Sequence, residues 1–393
     1  GPPKKEKKKN RIADVKGENR MKKSLMAVAL TSALALAACG NGGTTSEATT
    51  AAANSSSSAE SSEAAQEGEQ AASGEQIVLK YAAAEVPGTP EYEADLKFIE
   101  EIEEGSGGRI KVEFYHSSQL GNDKQVVMSA MGGGLDIVKS SAGNLMDYST
   151  ALAFTDLPGL FKNQPHVRAT FDNQEIRDWV AEKIKSDIGM VPVNYDIDGG
   201  AARALFYNSK NGLAKVPEDM KGLKLRTTGS EIEIALFDQW GASSVPMNFN
   251  ELYLALQQGT VDGMYGHPIG TYGNKLCEVT DYCTIIDISY IVSVQLMSQA
   301  CIDKLGGEGS ELYNLVMEAG KNLEVTKDEL LNAELETILD EIVTSGTEVY
   351  TPTEEELELW RASGEAIWGD YVGEGKDAPQ DIVDKVMEIG NDF

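Results

Sequence analysis

From residue 77 onward the spacing of apolar residues switches repeatedly between a two-residue and a helical period. IVLKYAA, starting at Ile77, is a short apolar run and predicts a strand. EYEADLKFIEEIEE follows and places Tyr92, Leu96, Ile99 and Ile102 near one helical face. GSGG ends that helix, and RIKVEFYH alternates, with Ile110, Val112 and Phe114 facing one way. QLGNDKQVVMSAMGGG predicts a loop and a glycine-capped helix, and LDIVKSS a further strand. The middle of the chain repeats the theme. KGLKLRTTG reads as a strand in which Leu223 and Leu225 alternate with Lys224 and Arg226. SEIEIALFDQWGA is a helix ended by Gly241, SSVPMNF a short strand, NELYLALQQG a second helix and TVDGMYGH a strand or loop. The acidic, periodic stretch after Gly309 predicts one long helix, bent near Gly320. Strands separated by helices imply parallel sheets and the α/β class.

Two different patterns precede this body. After Cys39 come about 36 residues that are small or polar, with no aromatic and no branched aliphatic side chain. Such a segment cannot bury enough apolar surface to offset its chain entropy, so residues 39–76 are expected to form a disordered tether. Its flexible reach is roughly 30–36 Å. Ahead of it, Lys22 and Lys23 follow Met21, and an apolar run from Leu25 to Ala38 is too short to span a bilayer comfortably. A charged start, a short apolar centre and a small-residue end describe a secretory signal peptide over residues 21–38. Leu36-Ala37-Ala38-Cys39 resembles the lipobox of bacterial lipoproteins, in which the cysteine is acylated, palmitate included, and becomes the mature N-terminus. Several acyl chains on one cysteine anchor stably, whereas one binds only marginally. Residues 1–20 are polar and basic and fit no signal peptide, so Met21 is expected to be the true start and residues 1–20 a non-native extension.

Charge separates the two regions. Residues 1–38 hold ten Lys/Arg against three Asp/Glu, a net of +7, which leaves 24 against 60, or −36, for the remainder of a chain whose total is −29. That balance argues against nucleic acid and against anionic membrane surfaces, since both select basic patches. A small anion can still be held where a few cations converge.

Enzyme signatures are absent from the sequence. There is no G-x-S-x-G elbow, no phosphate-binding G-x-x-x-x-G-K-[ST] loop and no H-E-x-x-H. His116, His166 and His267 are far apart and lack metal-ligand spacing, which favours surface or structural roles. No catalytic residue, metal or cofactor is therefore expected. With Cys39 assigned to lipid, Cys277, Cys283 and Cys301 remain, so at most one intramolecular disulfide is possible; Cys277–Cys283 pairing and buried free thiols are both open.

Several blocks carry a family resemblance. GRIKVEFYHSSQLGND, DLPGLF and SGTEVYTPTEEELELW are three of them, and the most specific runs from Lys215 to Pro268. Within it, Pro-Glu-Asp, Lys-Gly-Leu-Lys-Leu-Arg, Val-Pro-Met, Glu-Leu-Tyr, Ala-Leu-Gln and Val-Asp-Gly occur in order. Over nearly the whole folded body the chain resembles the substrate-binding subunits of TRAP (tripartite ATP-independent periplasmic) transporters, the DctP-like family. The resemblance implies a two-lobed periplasmic-binding-protein-like fold, with a ligand cleft between the lobes and a long C-terminal bridging helix. Residues 77–200 with about 290–330 are expected to build lobe I, and 201–289 with about 331–393 lobe II. The implied function is capture of a small organic carboxylate by hinge closure. Delivery is to the small and large membrane subunits, by an exported, lipid-anchored and monomeric protein. A binder of neutral solutes for another transporter and a lipid-anchored α/β enzyme are the competing readings.

The same resemblance assigns site residues. Arg226, in Lys224-Leu225-Arg226, inherits the carboxylate anchor, a role its planar, permanently charged fork suits. Arg203 resembles a second supporting arginine, and Phe249 an aromatic lining the cleft. Where the family often shows Gln-Glu-Asn-Pro, this chain reads Met264-Tyr265-Gly266-His267-Pro268, so Tyr265 or His267 is expected to contact ligand instead. Glu85, and Tyr81 beside it, are placed at the cleft by topology alone.

Overall fold

The computed structural model describes residues 76–393. Residues 1–20, the leader, Cys39 and the tether up to residue 75 lie outside them. The described chain opens with β1 (Ile77–Ala82), α1 (Pro90–Gly105), β2 (Ile110–Tyr115), α2 (Asp123–Met131) and β3 (Ile137–Ser141). β1 pairs in parallel with both β2 and β3, as strand–helix–strand order requires. Thr89 caps α1 by accepting from the Tyr92 amide, with Pro90 at its first turn. The buried face of this helix is Glu91, Ala94, Asp95, Phe98 and Ile102. It is not the anticipated stripe, for Leu96 lies 39% exposed. Two carboxylates, Glu91 and Asp95, have displaced aliphatic residues from the inward side, and both belong to the site described below.

Short α3 (Ala142–Leu145) leads to α4 (Gln164–Asp172), α5 (Gln174–Ile188) and β4 (Val191–Asp198). The chain then crosses to a second sheet, built from β5 (Ala204–Tyr207), β6 (Lys224–Thr227), α6 (Glu231–Gln239), β7 (Ser243–Pro246), α7 (Leu252–Gln257), β8 (Gly263–Gly266), α8 (Pro268–Gly273) and β9 (Tyr282–Thr284). It returns through β10 (Ile291–Met297), α9 (Gln299–Lys304) and α10 (Glu311–Ser345), and ends with β11 (Glu348–Tyr350), α11 (Glu354–Glu365), α12 (Trp368–Tyr371) and α13 (Gln380–Ile389). Strand order is β2-β1-β3-β10-β4 in the first sheet and β11-β9-β5-β8-β6-β7 in the second.

The sheets are mixed, not parallel as the strand–helix alternation suggested. β10 runs antiparallel to β3 and β4, and β5 antiparallel to β8 and β9. Each of these two strands enters its sheet from the other lobe, so no helix of its own lobe precedes it to reverse the chain.

Segments 199–203 and 285–290 are two of the crossings, and α10 is a third. At 35 residues α10 is about 52 Å long. Its Leu312, Val316, Ala319 and Leu323 join the core beneath the first sheet, while Leu331, Ile338 and Ile342 join that of the second. It runs unbroken past Gly320. A Cβ there would stand 2.6 Å from the Val193 carbonyl oxygen, so Gly320 serves close contact with β4.

The C-terminal residues divide between the lobes, contrary to the assignment of 331–393 to lobe II. α11 lies on the second, where Trp240 Nε1 donates to Ser363 Oγ at 2.9 Å. α13 lies on the first, where His166 Nε2 meets the Val386 carbonyl at 2.8 Å and Lys162 Nζ donates to the Gly390 carbonyl at 2.7 Å. This return is a long-range packing event that no local pattern encodes. Among the described residues no helix is long and apolar enough to cross a membrane.

Candidate functional site

The crossings place a cleft between the two sheets. Arg226, Arg203, Phe249, Tyr265, His267 and Glu85 all line it. Tyr81 does not; it is fully buried beneath the floor, where its hydroxyl accepts from Gln295 Nε2.

Arg226 stands on β6, between β7 and β8. It is 8% exposed. Its Nε donates to the Met247 carbonyl at 3.1 Å, and its guanidinium lies 5.5 Å from the centre of the Phe249 ring. Among the described residues no carboxylate comes within ion-pairing distance of it, and burial pulls its pKa below the ordinary arginine value. A desolvated cation with its outer nitrogens turned to a cleft is costly until an anion arrives.

Arg203 contrasts with it. Nη1 donates to Glu233 Oε1 and Nη2 to Asp156 Oδ1, each at 3.0 Å. Burial opposes its charge, but Asp156 and Glu233 outweigh burial and hold its pKa above the ordinary value. Only Nε is left without a partner. Its amide donates to the Ser289 carbonyl at 2.8 Å, which ties one crossing to the other. The Ser289 hydroxyl in turn donates to the Tyr265 oxygen at 2.9 Å, and the Tyr265 ring sits 5.5 Å from the Arg203 guanidinium.

His267 caps α8, its Nδ1 accepting from the Gly270 amide at 3.1 Å, so the ring proton sits on Nε2. Burial lowers its pKa to about 4, leaving the ring neutral. It also packs on the crossing at Gly199, where φ is +71° and a Cβ would lie 2.1 Å from Nδ1. Glycine is required there for both reasons.

The first-lobe wall is a chain of buried ion pairs. Glu85 Oε1 accepts from Lys139 Nζ at 2.5 Å, and Lys139 also donates to Asp198 Oδ1 at 2.8 Å. Asp196 lies 3.5 Å from Lys139 and 2.7 Å from Lys327, and Lys327 reaches Asp95 at 2.9 Å. Burial works against the Lys139 charge, but Asp198 and Glu85 overcome it and keep the pKa high. Because Lys327 sits on α10, the network links the cleft wall to the bridging helix. Glu91 stands apart. It is 5% exposed and lines the cleft, and neither oxygen has a protein partner. Burial lifts its pKa to about 7.

Sequence reasoning missed Glu91, Asp95, Lys139, Asp196, Asp198 and Lys327. The available signal was Lys139 inside the apolar strand LDIVKSS, a charge where a core strand has none to spare. Cys277, Cys283 and Cys301 are buried free thiols. Among the described residues no cluster of three or more His, Cys, Asp or Glu is placed to hold a metal.

Two lobes, a glycine-bearing crossing and a cleft whose buried arginine makes no ion pair among the described residues have the build of a solute-binding protein. A sequence profile of the bacterial extracellular solute-binding proteins, family 7, matches residues 81–374. The chain belongs to that family, the solute-binding proteins of TRAP transporters. The 2,3-diketo-L-gulonate-binding periplasmic protein of Escherichia coli is 27% identical over 305 residues, spanning 75% of this chain and 86% of its own. A TRAP periplasmic solute-binding protein from Sulfurospirillum deleyianum, solved with succinate, superposes with a TM-score of 0.71 at 25% identity, over 80% of this chain and 99% of that one. Another from Roseobacter denitrificans, solved with β-D-glucuronate, shares the fold at a TM-score of 0.72 and 21% identity, over 79% of this chain and 98% of that one.

Proposed function

We propose that this protein captures a small organic carboxylate in the cleft and delivers it to the membrane subunits of a TRAP transporter. The observation that carries this reading is Arg226, a buried guanidinium that makes no ion pair among the described residues. An incoming carboxylate would receive its two outer nitrogens as a bidentate pair while Phe249 covers one face. Arg203, held rigid by Asp156 and Glu233, would add its unpartnered Nε. Tyr265 and His267 shape the wall on the second lobe and Glu85 that on the first. Closure would turn about segments 199–203 and 285–290. The ligands in the relatives' names, 2,3-diketo-L-gulonate, succinate and β-D-glucuronate, all carry a carboxylate, which supports the same class.

A thermal-shift screen of residues 76–393 against organic acids, neutral sugars and amino acids tests the reading. Ligand that binds only the folded form raises the melting temperature by mass action. Stabilisation confined to carboxylates is expected; stabilisation by neutral sugars alone would refute it.

The leader and Cys39 further support export and attachment to the outer face of the cytoplasmic membrane through an acylated cysteine, with the tether giving the body room to turn. Metabolic labelling with an alkyne palmitate should mark the wild-type protein and not Cys39→Ser. Equal labelling of both would remove the anchor from the account.

A further inference from the structure

Given that Arg226 takes a carboxylate, the first-lobe wall shows what the rest of the ligand must offer. Glu91 is buried on α1, lines the cleft and has no donor on either oxygen. A buried carboxylate in that state is costly unless a proton or a donor reaches it. Glu85 presents a second open acceptor: Lys139 occupies Oε1, while Oε2 is buried without a partner. Lys139 cannot serve as a second anion anchor, because Glu85, Asp198 and Asp196 already surround its ammonium. Along this wall Glu85, Glu91, Asp123 and Asp198 therefore face the cleft against the single cation Lys139.

We infer that Glu85 and Glu91 form a donor-reading subsite, so that the ligand is a monocarboxylate whose other end presents hydroxyl or ammonium groups and a second carboxylate is refused. Charge-assisted hydrogen bonds from such groups satisfy both acceptors. A terminal carboxylate in the same place offers no donor and meets the like charge of Glu85 and Asp198. Selection therefore acts twice, once by attraction and once by repulsion. Lifting of the Glu91 pKa to about 7 accords with an acceptor that the protein itself leaves without a donor.

Calorimetric titration with ligands matched in length tests this. Succinate, 4-hydroxybutyrate and 4-aminobutyrate share a four-carbon chain, and D-glucarate and D-gluconate a six-carbon one. Within at least one length, the hydroxyl or ammonium compound should bind about tenfold or more tighter than the dicarboxylate. Hydroxybutyrate against aminobutyrate shows which donor is read. Glu91→Gln and Glu85→Gln, close to isosteric, should each shrink that preference about threefold or more. Arg226→Ala should weaken binding of every member about 30-fold or more. A dicarboxylate that binds as tightly as its partner at each length, and still depends on Arg226, overturns the subsite and leaves the carboxylate reading intact. Failure of every member to bind, or binding at wild-type affinity in Arg226→Ala, overturns both.

Discussion

The two walls of the cleft are both charged, yet they use charge in opposite ways. On the first lobe Lys139 and Lys327 are locked among Glu85, Asp95, Asp196 and Asp198, and their charges are spent on the protein itself. On the second lobe Arg226 is as deeply buried but makes no ion pair among the described residues. In the same cleft, Arg203 repeats the first-lobe solution with two carboxylates. The presence of a cation in a cleft therefore says little; its lack of an ion-pair partner within the described chain marks a place for ligand. The acids invert the argument, since Glu91 is the carboxylate left without a cation or a donor.

The comparison can be broken first at Lys327. Lys327→Ala strands Asp95 and Asp196 as uncompensated charges and should lower unfolding free energy by about 3–5 kcal/mol in denaturant titration. An effect under about 1 kcal/mol would mean that the network contributes nothing that water could not replace. A second test concerns pH. Burial raises Glu91 from 4.5 to about 7, so the folded protein holds this acid neutral where the unfolded chain ionises it. Stability from this group is fully present below pH 4.5 and is lost as pH rises towards 7. The loss totals about 3 kcal/mol at roughly 1.36 kcal/mol per pH unit. Without ligand, Glu91→Gln should therefore gain on wild type between pH 5 and pH 8. Parallel stability curves for the two proteins would show Glu91 to be ionised or solvated throughout.

The sequence made the second lobe more legible than the first. The ordered motifs between Lys215 and Pro268 located Arg226, Phe249, Tyr265 and His267, and every one of them lines the cleft. Alternation in RIKVEFYH and the end of the first helix at Ser106 followed from local pattern and turn residues. The first-lobe network was hidden because pattern reading sends every charged residue to solvent. Asp95 and Glu91 thus passed for the wet side of α1, whose true inner face they occupy. Antiparallel β10 and the return of α13 to the first lobe were hidden for another reason. Both depend on segments far apart in sequence meeting across a lobe boundary, which no local window contains. Gly320 carried a signal that local pattern could not resolve, since a helix glycine fits a close approach as well as a bend.

The contrast between Arg226 and Arg203 supports the central claim, and one paired measurement tests it: folding free energy and affinity for the best carboxylate, in Arg226→Ala and Arg203→Ala. Arg226→Ala should fold within about 1 kcal/mol of wild type, because it removes an unpaired buried cation, and should lose about 2–5 kcal/mol of binding. Arg203→Ala should lose about 3–5 kcal/mol of folding free energy by stranding Asp156 and Glu233. If Arg226→Ala instead keeps wild-type affinity, or its loss appears in folding and not in binding, the free guanidinium is a structural residue and the account of the site is wrong.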